Sequence, residues 1–354
     1  MRFFFALGLG LGLAAATLAQ AGGTWIEASW PQALAAAHAS HKPILAYFLR
    51  RGCGPCSAQD RTLAAPEVAA DLENFVAVRF DLEDPIGREM ARRFKVVGSP
   101  NSLFFDAQGA EQDRVLGAWP AADFVAEMKR IRSGNQTVPD LLSHAEEYAA
   151  DINFNFMLGA KLADRGDPRA IQYLERVLAL DPTNTHGRSD DALLASANLA
   201  ARDSSDTTAA STLERLLRRF PDSDVADQAF RSLASAYQSL GQTDRAVATL
   251  ERATAAKPGD PRRLNDLAWN LTQWQSDLTR ALAAAEKAVA LAPNDPGYLD
   301  TLAGVHSARG EYALAVQAEK RALEKAPGDR ELEDRLARFE AAQRSHPAKT
   351  RNGK

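Results

Sequence analysis

The sequence predicts an α/β domain, a mixed sheet with helices on both faces, followed by an all-α domain built from helical repeats. In the first part of the chain, apolar strands at 44–49 and 75–81 alternate with helical segments. A hairpin signal, Ala107-Gln108-Gly109, separates two further strands, which favours a mixed sheet. Beyond residue 137 the strand patterns stop, and Ala- and Leu-rich helices recur with regularly spaced prolines.

Prolines mark the starts of several elements in the first domain. Pro43 precedes the first strand, Pro66 precedes a helix and Pro85 opens another. The expected order is helix 30–40, strand 44–49, a helix after residue 53, helix 67–72, strand 75–81, helix 85–94, strands 101–106 and 112–117, and a closing helix 120–132. We therefore expect one domain over residues 22–132, followed by a linker at 133–140 that begins Ser-Gly-Asn-Gln-Thr.

The second domain has a period that the prolines reveal. They fall at helix ends, at intervals that shorten from 39 to 34 residues: Pro182, Pro221, Pro258, Pro293 and Pro327. Over about 190 residues this stretch resembles the tetratricopeptide repeat family, whose period is about 34 residues. The resemblance implies a solenoid of about five helix pairs over residues 141–345, closed by a charged capping helix at 331–343. We expect residues 346–354 to be a disordered tail.

The composition is typical of a soluble globular protein and gives no sign of nucleic-acid binding. Hydrophobic residues make up 45% of the chain and charged residues 25%. The 42 basic and 46 acidic residues give a net charge of −4, and long blocks of like charge are missing. No basic surface for a phosphate backbone is predicted, so we expect no nucleic-acid partner.

The first residues indicate export. Arg2 supplies a positive start, residues 3–16 are apolar and uncharged, and Ala19-Gln20-Ala21 fits the small-x-small rule for cleavage before Gly22. We therefore expect a signal peptide at 1–21 and an exported, periplasmic protein. The alternative is an uncleaved membrane anchor, because the apolar character extends almost to the ~18 residues that a membrane span needs.

The chain has two cysteines, Cys53 and Cys56. A disulfide between residues three positions apart closes a short loop and constrains little unfolded-chain entropy, so a structural staple is a weak explanation. A structural zinc site needs about four ligands, and the sequence has no second cysteine pair. The pattern therefore predicts redox chemistry, with no metal and no cofactor.

The motif Cys53-Gly54-Pro55-Cys56 follows a predicted strand and begins a predicted helix. Unpaired N–H groups at a helix N-terminus lower the pKa of the first cysteine, and the thiolate is the attacking species. Cys53 is therefore the predicted nucleophile, while Cys56, one turn deeper, resolves the mixed disulfide. Gly54 and Pro55 support the site, and Pro55 costs no hydrogen bond in the first turn.

The motif and its surroundings resemble the thioredoxin superfamily over the whole first domain. Segment 44–48, Ile-Leu-Ala-Tyr-Phe, is similar to the family's central strand, and segment 94–101, Phe-Lys-Val-Val-Gly-Ser-Pro-Asn, to the one that holds its cis-proline. The resemblance implies a cis Ser99–Pro100 bond beside the two sulfurs, with Ser99 pairing with bound substrate through its backbone. It also implies that Gly117 lies on the neighbouring strand, beside the substrate groove.

Two residues depart from the family pattern. Tyr47 stands where thioredoxins carry a buried Asp, the proton acceptor for the resolving cysteine, and Gly52 stands where they carry Trp. The resemblance therefore does not assign a proton-transfer route or a substrate surface at these two positions. Arg50 and Arg51 precede the motif, and two roles stay open for them, lowering the pKa of Cys53 or aiding solubility.

Four further side chains are of types that can bind ligands, but we expect none of them to do so. His38 and His41 lie three positions apart on an Ala-rich helix, where we expect solvated side chains rather than metal ligands. Trp269 and Trp274 are expected to pack between repeats rather than to bind a ligand.

The sequence supports two functional hypotheses. The first is an exported thiol–disulfide oxidoreductase that acts on protein or peptide disulfides, while the repeats bind the partner. The second is a repeat-based adaptor in which the CxxC motif is a minor redox switch. Gly54-Pro55 matches the dipeptide of reducing thioredoxins and offers no positive charge before Cys56, so we expect a reducing poise and a membrane-bound reductase as electron donor.

Overall fold

The computed structural model describes residues 25–26 and 29–346. The predicted signal peptide and its cleavage position lie outside these residues, as does the predicted tail beyond residue 346. Among the described helices, none combines the length and the apolar character that crossing a membrane requires. The chain forms two compact units, one up to Met90 and over Gly98–Asn135, the other over Ala91–Val97 and from Gln136 onwards.

The first unit is built on a five-stranded mixed sheet, which confirms the predicted class. Its strands are β1 (Trp25–Ile26), β2 (Ile44–Leu49), β3 (Val76–Asp81), β4 (Asn101–Phe105) and β5 (Glu111–Leu116), in the spatial order β1-β3-β2-β4-β5. β3 runs parallel to β1 and β2, while β4 is antiparallel to β2 and β5. The short edge strand β1 was not predicted, because two residues show no periodicity.

Five helices accompany this sheet, and they lie on both faces. They are α1 (Trp30–Ser40), α2 (Gly54–Leu63), α3 (Pro66–Leu72), α4 (Pro85–Arg93) and α5 (Ala121–Arg132). Alternate residues of a strand point to opposite faces, and Leu45 and Tyr47 of β2 pack into one cluster with residues of α2, α3 and α5. On the other face, Phe105 contacts Trp30 of α1 with ring centroids 4.7 Å apart.

The strand register brings three chain segments to one edge of the sheet. Because β4 is antiparallel to β2, Asn101 at the start of β4 pairs with Phe48 near the end of β2. Leu116, the last residue of β5, pairs with the same Asn101. The loops that leave β2, enter β4 and leave β5 are therefore neighbours.

The second unit is helical, with the predicted five pairs and a final single helix. It begins with α6 (Val138–Ser143) and continues through the pairs α7 (Ile152–Asp164) and α8 (Ala170–Leu180), α9 (Ser189–Arg202) and α10 (Asp206–Arg219), α11 (Ala226–Ser239) and α12 (Thr243–Ala256), α13 (Pro261–Gln273) and α14 (Leu278–Leu291), α15 (Pro296–Ala308) and α16 (Tyr312–Lys325), to α17 (Arg330–Ser345). Alanines and leucines of successive pairs form one continuous apolar cluster from residue 193 to residue 332. A repeat cannot bury its apolar face alone, so each pair is stabilised by its neighbours.

The periodic prolines stand at the turns between pairs, as the sequence predicts. Each follows the last residue of its helix by two positions, as Pro293 follows α14 and Pro327 follows α16. Two residues after three of them, Pro258, Pro293 and Pro327, an aspartate caps the next helix. The Asp295 carboxylate accepts a hydrogen bond from the Gly297 N–H, and Asp260 and Asp329 likewise accept from the first turns of α13 and α17. Proline thus prevents continuation of one helix, while aspartate satisfies free N–H groups at the start of the next.

The helix α6 begins inside the segment predicted as a linker at 133–140. Its first residue, Val138, is 1% exposed and packs with Leu141 against α7 and α8. Burial of these two side chains outweighs the polar composition of the preceding residues. The segment Ala91–Val97, within the domain predicted at 22–132, groups by its contacts with the second unit.

Candidate functional site

Cys53 and Cys56 form a disulfide at the N-terminus of α2, with Cα atoms 5.1 Å apart. Cys53 is the N-cap residue, and its Sγ accepts a hydrogen bond from the Cys56 backbone N–H at 3.1 Å. Cys56 is 2% exposed, whereas Cys53 is half-buried. Free N–H groups at a helix N-terminus stabilise negative charge, so this position favours a thiolate on Cys53 once the disulfide opens.

The loop before β4 lies against this disulfide. The Ser99–Pro100 peptide bond is cis, as the family resemblance implies. The carbonyl oxygen and the hydroxyl Oγ of Ser99 each lie 3.8 Å from Cys53 Sγ. Pro100 is buried, and its carbonyl oxygen accepts a hydrogen bond from the Gly117 N–H at 2.9 Å. The register of β2, β4 and β5 thus brings Ser99 beside Cys53, with Pro100 next to it in the chain and Gly117 hydrogen-bonded to Pro100.

Glycines beside the disulfide have conformations that other residues rarely adopt. Gly52 has φ +71° and Gly98 has φ +80°, values at which a side chain is strained. A tryptophan at position 52 would therefore oppose the backbone conformation of this loop. Gly54 has no such constraint, since a Cβ there meets no atom within 4 Å, and Gly54 and Pro55 are both exposed beside Cys53.

Arg51 anchors the loop before Cys53, a role that the sequence did not indicate. Its guanidinium donates to Asp81 at 2.5 Å and to Asp84 at 2.9 Å. Burial opposes ionisation of the Asp81 carboxyl, but the Glu83 N–H and the Arg51 guanidinium outweigh it and lower the pKa of Asp81.

Tyr47 occupies the space beneath α2. Its side chain is fully buried, and its hydroxyl donates to the Cys56 carbonyl oxygen at 3.3 Å. Burial raises the pKa of Tyr47, and the charge and a hydrogen bond of Asp60 raise it further. The phenol therefore stays protonated at neutral pH, where it serves as a hydrogen-bond donor and cannot replace a carboxylate as a base.

Polar residues of α2 that sequence analysis missed tie this helix to the loop after Gly117. Gln59 Oε1 accepts a hydrogen bond from the Trp119 backbone N–H at 2.9 Å, and Thr62 Oγ1 donates to the Trp119 carbonyl oxygen at 2.7 Å. Polar side chains on a helix are by default assigned to a solvated face. The available signal was that Gln59 lies three positions after Cys56 and Thr62 three positions after Gln59, because residues three and four positions apart are neighbours on a helix.

The structure locates the two histidines and the two tryptophans that the sequence analysis singled out. His38 and His41 are exposed, and within residues 25–26 and 29–346 no group of three or more His, Cys, Asp or Glu side chains is arranged to hold a metal ion. Trp274 packs against the apolar cluster of the second unit, as predicted. For Trp269 the prediction is wrong in part, because this side chain is 37% exposed and lines a groove, with its ring 5.9 Å from the Arg335 guanidinium carbon.

Two family models match the chain. A thioredoxin-like domain model covers residues 30–132, and a tetratricopeptide repeat model covers residues 207–268. Among curated proteins, the thiol:disulfide interchange protein DsbD of Ralstonia nicotianae is 31% identical over 112 residues, which are 30% of this chain and 18% of that protein. DsbD of Pseudoalteromonas atlantica is 34% identical over 105 residues, 28% of this chain and 18% of that protein. The chain thus spans less than a fifth of the length of these relatives.

Solved structures of both kinds are similar to parts of the chain. A thioredoxin from Thermus thermophilus is 30% identical, with a TM-score of 0.29 over 31% of this chain and 88% of its own. YrrB, a TPR protein described as having an unusual peptide-binding site, is 16% identical, with a TM-score of 0.40 over 57% of this chain and 97% of its own. The family models assign this chain a thioredoxin-like domain at 30–132 and tetratricopeptide repeats in its helical second unit.

Proposed function

We propose that this protein is an exported thiol–disulfide oxidoreductase that reduces disulfides of protein or peptide substrates through Cys53 and Cys56. The observation that carries the proposal is the Cys53–Cys56 disulfide at the N-terminus of α2, with both oxygens of Ser99 3.8 Å from Cys53 Sγ. The thioredoxin-like family model and the curated thiol:disulfide interchange relatives over the same region support it.

The proposed reaction has two exchange steps. The Cys53 thiolate attacks one sulfur of the substrate disulfide, the substrate S–S bond breaks, and one substrate thiolate leaves. Cys56 then loses its proton and attacks Cys53 Sγ, which releases the second substrate thiolate and forms the Cys53–Cys56 bond. Two electrons pass from the protein dithiol to the substrate. The burial of the two residues supports this order, since half-buried Cys53 is open to a large partner and Cys56 is not.

The loop residues beside Cys53 are the proposed substrate groove. A substrate chain bonded to Cys53 would lie along Ser99 and Pro100, with the Ser99 backbone available for pairing. Gly117 carries no side chain that would obstruct this path, and a Cβ there meets no atom within 4 Å. Leu116, 37% exposed, would supply apolar contact area.

We assign the reaction a reducing direction. Pro55 lacks an N–H and a charge, so it does not stabilise the Cys53 thiolate and does not favour the dithiol form. The expected reduction potential lies nearer the about −270 mV of reducing thioredoxins than the about −120 mV of strong oxidants. Because the dithiol must be regenerated outside the cytoplasm, the proposed electron donor is a membrane-bound reductase.

The repeat unit is the proposed binding site for a protein partner. A groove of about 940 Å³ beside α6 and α7 is lined by Tyr148, Phe154 and Met157, among other residues. Tyr148 is 42% exposed and stacks on Phe154 with ring centroids 5.0 Å apart. Exposed aromatic residues and methionine are enriched in protein interfaces, which supports this assignment.

A Cys56→Ser variant of the full chain tests the proposal. Without Cys56 the second step is blocked, so mixed disulfides between Cys53 and its substrates should accumulate and can be identified by mass spectrometry. A Cys53→Ser variant is the matched control and should trap none. A double variant, with both Cys53 and Cys56 replaced by Ser, tests the alternative. If cells that carry it behave as cells that carry the wild-type protein, the adaptor function, with the motif as a minor redox switch, would be favoured instead.

A further inference from the structure

The second exchange step requires a base, because Cys56 can attack the mixed disulfide only as a thiolate and must first lose its proton. Cys56 is 2% exposed, so water has little access to its proton. Burial in apolar surroundings also disfavours a free thiolate. A proton acceptor near Cys56 would therefore accelerate resolution of the mixed disulfide.

Asp60 lies one helical turn after Cys56 on α2. Residues four positions apart share a helix face, so the Asp60 carboxylate is directed along the same buried side of α2 as Cys56. Asp60 is half-buried, and its Oδ1 atom is buried and receives no hydrogen bond from any residue that the structure describes. A buried carboxylate oxygen without a donor is costly, and it keeps a lone pair available for a proton.

The Tyr47 hydroxyl connects the two residues. It donates to the carbonyl oxygen of Cys56 at 3.3 Å and also interacts with the Asp60 carboxylate. Because Tyr47 stays neutral, it holds these groups together without competing for the proton. Tyr47 is therefore a positioning residue, and Asp60 is the group with basic capacity in this cluster.

We propose that Asp60 on α2 accepts the Cys56 thiol proton during resolution of the mixed disulfide, with the Tyr47 hydroxyl positioning its carboxylate. The inference rests on the proposed function and deepens it. In the step, the Cys56 S–H proton passes to the Asp60 carboxylate, and the Cys56 thiolate attacks Cys53 Sγ. The Cys53–substrate bond breaks as the new S–S bond forms, and the departing substrate thiolate or water later takes the proton from Asp60.

The two exchange steps are separable with Ellman's reagent on the reduced full-length protein. Attack by Cys53 releases one coloured thiolate at a rate that depends on reagent concentration. Attack by Cys56 on the resulting mixed disulfide releases the second at a rate that does not. We expect Asp60→Asn to slow the second phase by about 100-fold near pH 6, the lower range for loss of a general base, and to leave the first phase unchanged.

The pH profile distinguishes a proton acceptor from a structural role. In Asp60→Asn the rate of the second phase should rise about tenfold per pH unit. It should equal the wild-type rate at a pH high enough for solvent to deprotonate Cys56, because the thiol then needs no proton acceptor in the protein. Tyr47→Phe should slow the second phase less than Asp60→Asn. Asp71→Asn is the matched control, because Asp71 on α3 is also buried with one oxygen that lacks a donor among the described residues, and it should leave both phases unchanged.

The outcomes separate failure of the inference from failure of the proposed function. A first phase that survives in Cys53→Ser would refute the proposed function. A normal first phase with a second phase equal in wild type and Asp60→Asn across the pH range would refute only the role of Asp60. A slow second phase in Asp60→Asn that stays below wild type at every pH would also overturn it, because distortion of the site and not loss of a base would then be the cause.

Discussion

We expect Glu319 in α16 to make the stability of the repeat unit depend on pH. Its side chain is fully buried, and no residue within 29–346 donates a hydrogen bond to either of its oxygens. Burial and the adjacent Asp300 carboxyl raise the pKa of Glu319 to about 8, although Arg335 and Arg338 of α17 act in the opposite direction. Glu319 is therefore protonated near neutral pH, where it can donate its proton to Asp300, whose Oδ2 also accepts from Arg335 at 2.7 Å.

The sign and size of the effect follow from this pKa. In the unfolded chain Glu319 has its ordinary pKa, a little above 4. A group whose pKa is higher in the folded than in the unfolded chain stabilises the folded state. This contribution is complete below the unfolded-state pKa and is lost as pH rises through the folded-state pKa, about 8 for Glu319. The loss is about 1 kcal/mol for each pH unit between the two values. Glu319→Gln cannot ionise and can still donate to Asp300, so it should lack this loss.

Urea unfolding followed by the helical circular-dichroism signal, at several values from about pH 6 to about pH 9, measures the effect. The free energy of unfolding should fall with pH more steeply in wild type than in Glu319→Gln. Glu324→Gln, an exposed residue of the same helix, is the control and should behave as wild type. Parallel pH profiles for wild type and Glu319→Gln would refute a buried neutral Glu319.

Three further outcomes are expected. In the reduced protein, iodoacetamide at mildly acidic pH should label Cys53 before Cys56, and preferential labelling of Cys56 in a mass-spectrometric peptide map would contradict the assigned roles. Gly87→Ala should destabilise the first unit by about 1–3 kcal/mol in urea unfolding, because its Cβ would clash with the Asp81 carbonyl group, and an unchanged midpoint would show that this close approach is wrong. Asp329→Ala should lower the free energy of unfolding by about 1 kcal/mol, because α17 loses its N-cap. Backbone hydrogen exchange in the first turn of α17 should become faster, and unchanged exchange would argue against the cap.

Elements with a clear local signal were predictable from the sequence. The helix Trp30–Ser40 and the strand Ile44–Leu49 have the predicted bounds, because Pro43 separates an Ala-rich segment from a continuous apolar run. The turns of the repeat unit were equally clear from their prolines. In contrast, α6 forms because Val138 is buried against other helices, a tertiary effect that local composition does not contain.

The candidate site likewise has a part that was predictable from the sequence and a part that was not. The Cys53 motif and the cis Ser99–Pro100 bond follow a recognisable local pattern. The ion pair of Arg51 and the proposed role of Asp60 depend instead on partners across the fold, Asp81 at the end of β3 and Tyr47 in the central strand. Departures from a family pattern mark where such partners should be sought.

Reduction of insulin by dithiothreitol, with and without catalytic amounts of the full-length protein, tests the central claim most directly. We predict that wild type accelerates precipitation of the reduced chains, because Cys53 exchanges with insulin disulfides and Cys56 completes each turnover. Cys53→Ser should show only the rate of dithiothreitol alone. An equal rate for wild type, Cys53→Ser and dithiothreitol alone would contradict a thiol–disulfide oxidoreductase.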